Sequence, residues 1–162
     1  MTNTAPKVRV LFVCLGNICR SPMAEAVFRD LVKQAGMQDI VEADSAGTGD
    51  YHLGEQPHQG TRALLQQRGI SYAHAARQVG VEDFEQFDYL IAMDRTNLSD
   101  LRAIGQRAGA KVALLSDFIP EGAAKDVPDP YYTGNFEAVY HMVEAGGRGL
   151  LEAIQRDLAV AS

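Results

Sequence analysis

The sequence contains no tryptophan, only two cysteines and only six prolines in 162 residues. Cys14 and Cys19 stand five positions apart in one short segment, which is a poor way to staple a domain, so their use is expected to be chemical and not structural. Basic residues are also short, with 15 Lys and Arg against 21 Asp and Glu for a formal net charge of −6. Broad contact with nucleic acid or an anionic membrane requires a basic face that this composition lacks. Any anion must be caught locally. Long apolar runs are missing too: the first, Val8 to Cys14, is too short for a signal-peptide core or a membrane span, and a cytoplasmic location without membrane insertion is expected. Of the four histidines, His52, His58 and His141 have no neighbours in sequence that suggest a metal site, and neither metal nor cofactor is expected.

What remains is the composition of an ordinary globular protein, 46% apolar and 22% charged. Its length predicts a single domain over 1–162, with 1–6 flexible. Lys7 to Val13 is β-branched and apolar, as a buried strand of a parallel sheet would be, and it ends directly at Cys14. Ser21-Pro22 then sets an N-capping hydroxyl before a helix-starting proline, and Met23 to Gly36 carries helical apolar spacing. The alternation continues with a strand at Ile40 to Ala43, a helix from Pro57 to Arg68 closed by Gly69, and a strand at Tyr89 to Met93. A helix from Arg95 to Arg107, a strand at Lys111 to Leu115 and a last helix over about 134–158 complete it. Such alternation predicts an α/β three-layer sandwich, with a central, mostly parallel sheet of about four strands flanked by helices. Gly146, Gly147 and Gly149 conflict with the last helix, each costing about 1 kcal/mol relative to alanine. Either the helix breaks there or it packs unusually close.

In open α/β sheets ligands bind beyond the carboxyl ends of the strands, and the first strand delivers Cys14 to that edge just ahead of a helix N-terminus. The loop Leu15, Gly16, Asn17, Ile18, Cys19, Arg20 can turn its N–H groups inward as a nest for a phosphate dianion, with Gly16 and Asn17 as the residues expected to supply unusual dihedrals. Those dipoles, the helix N-terminus and the Arg20 cation would all favour the thiolate form of Cys14. Arg20 also has the planar fork that grips two phosphoryl oxygens and follows their charge into a transition state. Cysteine and arginine at this spacing are a weak signal alone. The strand, the glycine and the Ser-Pro helix start give it weight.

The run Val13-Cys-Leu-Gly-Asn-Ile-Cys-Arg-Ser-Pro22 closely resembles the signature of the low-molecular-weight protein tyrosine phosphatases. The resemblance covers nearly the whole chain, through Ala24-Glu-Ala-Val-Phe28, Asp44-Ser45-Ala46-Gly47, Ile91-Ala-Met-Asp94 and Asp129-Pro-Tyr131, in the family's order. It implies a metal-independent phosphomonoesterase in which Cys14 forms a phosphocysteine that water then hydrolyses. A poor leaving group needs a general acid. Of twelve aspartates, Asp129 is stiffened by Pro128 and Pro130; spacing alone reads it as an ordinary turn aspartate, and only the resemblance makes it the acid.

By the same resemblance Tyr51, Tyr131 and Tyr132 line a slot for the substrate ring, while Asn17, Ser21, Ser45 and His74 brace the loop. Ser21 would also stabilise the leaving thiolate. Cys19 either closes a protective disulfide with Cys14 under oxidant or is a small apolar filler. Implied partners are phosphotyrosine proteins and a tyrosine kinase, with a monomer or weak dimer as the state. Three other readings stand beside this one. Arsenate reductase needs further cysteines, and none follows Cys19. An arginine phosphatase typically carries threonine where Ile18 stands. An idle phosphate sensor would have no use for the full set of Cys14, Arg20 and Asp129.

Overall fold

The computed structural model describes residues 8–107, 109–120 and 126–161, so the expected flexibility of 1–6 lies outside the described residues. Strand β1 (Val8–Cys14) is the centre of the architecture, with Val10, Leu11, Phe12 and Val13 wholly out of solvent. It is apolar on every residue but Arg9 because both of its faces are covered. Val10 and Phe12 join a large cluster with Met23, Phe28, Val143 and Leu150. Leu11 and Val13 point the other way, to Phe84, Leu90 and Leu101. That is the three-layer arrangement read from the alternation of elements.

Strands β2 (Val41–Gly47), β3 (Tyr89–Ala92) and β4 (Lys111–Leu114) complete a four-stranded sheet in the order β2-β1-β3-β4, every pair parallel. The expected strand at Ile40 to Ala43 was too short. Asp44 and Ser45 read as loop because they are polar, yet their backbones pair with Leu11 and Phe12 and their side chains are taken up by hydrogen bonds.

The helices are α1 (Arg20–Gln34), α2 (Gln59–Gln67), α3 (Asp83–Gln86), α4 (Arg95–Ile104), α5 (Pro130–Thr133) and α6 (Phe136–Ala161). Among the described residues no helix is long and apolar enough to cross a membrane. The Ser21 expectation needs correction: α1 begins at Arg20, after Cys19, and no side chain caps it. Helix α4 stops three residues early, where Gly105 turns extended.

Helix α6 runs unbroken through its three glycines, which settles the alternative left open by the sequence. A Cβ on Gly149 would strike the carbonyl oxygen of Phe118, and one on Gly146 would sit 2.5 Å from Leu115 Cγ. On the same stretch, Gly147 faces Leu31 of α1. The glycines let α6 lie against the 3₁₀ turn Leu115–Phe118, and the burial of Leu115, Val143 and Leu150 offsets their helix cost.

Candidate active site

Because β1 and β3 are parallel neighbours, Val13 beside Ala92, their carboxyl ends open onto the same edge. Cys14 leaves β1 there, and Met93 and Asp94 leave β3, tied back by Met93 N–H to Val13 O at 3.0 Å. The chain then turns through Asn17, which holds φ at 58°, the left-handed region that asparagine tolerates better than most residues. Gly16 was expected to supply such a dihedral and does not. Its lack of a side chain serves another end, since a Cβ there would come within 2.9 Å of His52.

Cys14 Sγ lies 3.0 Å from Ser21 Oγ and 3.3 Å from the Asn17 N–H. Ser21 Oγ itself accepts from Asn17 Nδ2 at 2.9 Å, which leaves its own proton to point at the sulfur. The orientation of the Asn17 amide is fixed in turn, because Oδ1 accepts from the Arg77 backbone N–H at 3.0 Å and from His74 Nε2 at 2.8 Å. Asn17 Nδ2 also donates to Ser45 Oγ, and the Ser45 hydroxyl donates to Glu25 Oε1 at 2.8 Å. Tyr72 donates to the same carboxylate at 2.6 Å. Burial, then the Glu25 charge, pushes the Tyr72 phenol far up, so it stays protonated as a donor. A chain of hydrogen bonds therefore runs from Tyr72 to the Cys14 sulfur.

Arg20 is 3% exposed. Its NH1 donates to Asp94 Oδ2 at 2.6 Å and to Val127 O at 3.1 Å, and its NH2 reaches Asp129 Oδ2 at 3.5 Å. Both aspartates are held the same way. Asp94 Oδ1 caps α4 through Asn97 N–H, Asp129 Oδ1 caps α5 through Tyr131 N–H, and each turns Oδ2 to the guanidinium. Burial opposes the Arg20 charge, but Cys14, Asp94 and Asp129 outweigh it and raise its proton affinity further. The Arg20 Nε is buried with no acceptor among the described residues. An unpaired buried donor on a cation is what an anion oxygen would satisfy.

A pocket of about 320 Å³ opens over these groups, lined by Cys14, Leu15, Gly16, Ile18, Cys19, Arg20 and Asp129, with Tyr51, His52, Tyr131 and Tyr132 above. Asn17 and Ser21 stand behind the loop, and Ser45 and His74 one layer deeper. Tyr51, Tyr131 and Tyr132 are all exposed and form the rim. Cys19 is buried, and burial, followed by the charges of Cys14 and Asp129, pushes its thiol up to about 12. It is no rival nucleophile at neutral pH. Elsewhere, Glu25, Asp44 and His74 bring one donor atom each within 4.8 Å. Those carboxylates are already taken, Glu25 by Ser45, Tyr72 and Arg29, and Asp44 by Arg77, so the group reads as a brace and not as a metal site.

Sequence reasoning assigned no role to Asp94, Glu25, Tyr72 or His52. Asp94 carried a legible signal, an acid at the carboxyl end of a strand followed by a helix. The others are brought to the loop by long-range packing that no local spacing encodes.

A cysteine cradle with a buried arginine, at the carboxyl edge of a parallel α/β sheet, defines the class of cysteine-dependent phosphatases. The family model described as low molecular weight phosphotyrosine protein phosphatase matches residues 9–160. The low molecular weight protein-tyrosine-phosphatase YfkJ of Bacillus subtilis is 49% identical over 152 residues, 93% of this chain and 97% of that protein. The crystal structure of YfkJ superposes with a TM-score of 0.89, covering 96% of this chain and 99% of that one. An arginine phosphatase from Drosophila also superposes, at 35% identity and a TM-score of 0.83, over 90% of this chain and 96% of that one. The chain belongs to the low molecular weight phosphotyrosine protein phosphatase family.

Proposed function

We propose that this protein is a protein-tyrosine phosphatase in which Cys14 is the nucleophile, Arg20 the phosphate ligand and Asp129 the proton donor. The observation that carries this reading is the Cys14 sulfur, set between Ser21 Oγ and the Asn17 N–H at the floor of the pocket that Arg20 and Asp129 line. The phosphoryl group binds with its oxygens on the loop N–H groups and on the Arg20 fork. As the sulfur attacks in line, an S–P bond forms, the P–O bond to the tyrosine breaks and the departing oxygen takes the Asp129 proton. Water then attacks the phosphocysteine, its proton returns to Asp129, and the sulfur leaves as a thiolate stabilised by Ser21. Orthophosphate and the restored thiolate remain. The exposed rim of Tyr51, Tyr131 and Tyr132 supports an aryl substrate, and buried Ile18 narrows the floor beside them. The substrates are cytoplasmic phosphoproteins.

The test is p-nitrophenyl phosphate hydrolysis near pH 5 to 6, in chelator and reductant, beside Cys14→Ser. Turnover that resists chelator and vanishes in the variant, while the variant still binds orthophosphate, is the expected result. Binding without turnover in the reduced wild type would leave a sensor in place of an enzyme.

A further inference from the structure

Beside the catalytic pocket runs a second groove of about 570 Å³, whose lining shares Ile18, His52 and Tyr131 with the first. The two are arms of one depression, parted by the His52 and Tyr131 rings, whose centroids stand 6.2 Å apart. Hydrolysis of a phosphate ester makes no use of the second arm. Because the two arms share Ile18, His52 and Tyr131, a molecule whose phosphate occupies the first can extend into the second.

Arg62, on the first turn of α2, lines that arm. Its Nε donates to Pro57 O at 2.9 Å, which steadies the stem, and among the described residues no carboxylate is paired with its guanidinium. The groove's own acid is turned to the opposite wall, with both Glu55 oxygens 3.2 Å from His52 Nδ1. His58 is a wall, its ring stacked on Phe136 and its Nδ1 accepting from Gly60 N–H. In a chain of net charge −6, Arg62 is a cation of this groove that no carboxylate among the described residues pairs, while Glu55 is engaged by His52. Consecutive Cα atoms are about 3.8 Å apart, so a residue next to a bound phosphotyrosine lies over this rim.

We infer that the arm is a subsite for an acidic side chain adjacent to the phosphotyrosine, with Arg62 as its counter-ion. The inference rests on the phosphotyrosine reading and narrows its substrates to peptides with Asp or Glu flanking the phosphorylated residue.

Three substrates test it: p-nitrophenyl phosphate, a phosphotyrosine peptide with Glu on both sides, and the same peptide with Gln. Wild-type kcat/KM favours the Glu peptide by about five-fold at low salt, through KM, and added salt erodes the preference. Arg62→Glu reverses the preference and Arg62→Lys keeps part of it. Glu55→Gln enlarges it. None of the three changes p-nitrophenyl phosphate turnover, which shows that each variant is folded. Equal kcat/KM for the two peptides in the wild type, or a Glu preference that survives in Arg62→Glu, overturns the subsite. A wild type that turns over none of the three substrates overturns the phosphatase reading instead.

Discussion

Asn17 carries two burdens that substitution separates, a left-handed backbone and an amide with four hydrogen-bond partners. Asn17→Gly removes only the amide, whereas Asn17→Ala also strains the backbone, by about 1 kcal/mol. Both variants are expected to lose kcat about 10- to 100-fold, with Asn17→Ala the less stable of the two in urea; equal midpoints would remove the backbone argument. Cys19 yields a second test. With its thiol pushed up to about 12, iodoacetate at pH 7 is expected to add one label, at Cys14, and orthophosphate should block it. Two labels in the mass spectrum would show Cys19 to be a second nucleophile. At this scale the sequence was legible wherever chemistry is local, as at Cys14 and Arg20. Ser21 was misread as a cap because Ser-Pro before a helical pattern signals one, and its hydroxyl instead meets the sulfur, a contact that the resemblance and not the local pattern had pointed to.

Two elements set the distances in the site. The segment bearing Asp129 is clamped where β3 ends: Arg95 grips Asp126 through its backbone N–H at 2.9 Å and twice through its guanidinium, while Val127 N–H bonds Met93 O. On the proposed roles of Asp129 and Cys14, Arg95→Ala is expected to slow poor leaving groups about tenfold and good ones little, because a slack segment misplaces Asp129 and not Cys14. Equal losses across leaving groups would dismiss that role. The Arg95 hydrogen bonds hold the Asp126 carboxyl below its ordinary range. Its contribution is therefore present above the unfolded-state value of about 3.9 and disappears as pH falls through the lower folded one, so the clamp is intact at the mildly acidic assay pH. Helix α6 is the second element. Gly149→Ala drives a methyl into the Phe118 carbonyl, and a loss of about 2–3 kcal/mol is expected, read as a melting temperature lowered by roughly 5–10 °C. A rise, as helix propensity alone would give, would contradict the close packing. The glycines were visible in the sequence as an anomaly. Their partners, Leu115 and Phe118 on a 3₁₀ turn and Leu31 on α1, were not.

Across the whole molecule, the alternation of strand and helix patterns and the apolar run of β1 were enough to read the α/β class. The order β2-β1-β3-β4 was not readable, since it depends on which strands meet across long connections. The global charge and the site oppose each other, so a phosphate must be held by the loop and Arg20 and not by the field of the whole chain. Orthophosphate at a hundred times its Kd is accordingly expected to stabilise the wild type by about 2.7 kcal/mol and Cys14→Ser similarly, but Arg20→Ala hardly at all. A stabilised Arg20→Ala would place the anion elsewhere. The parallel sheet has one more consequence, for the making of the protein. Val8 pairs with Val41 and Val10 with Tyr89, so no hairpin can seed the sheet and each pairing must close a long loop first. A chain emerging from the ribosome presents β1 before either of its partners, and the second flank of that strand stays unpaired until Tyr89–Ala92 is synthesised. The strand that ends at Cys14 is thus open to aggregation, or to a chaperone, while the chain is half made.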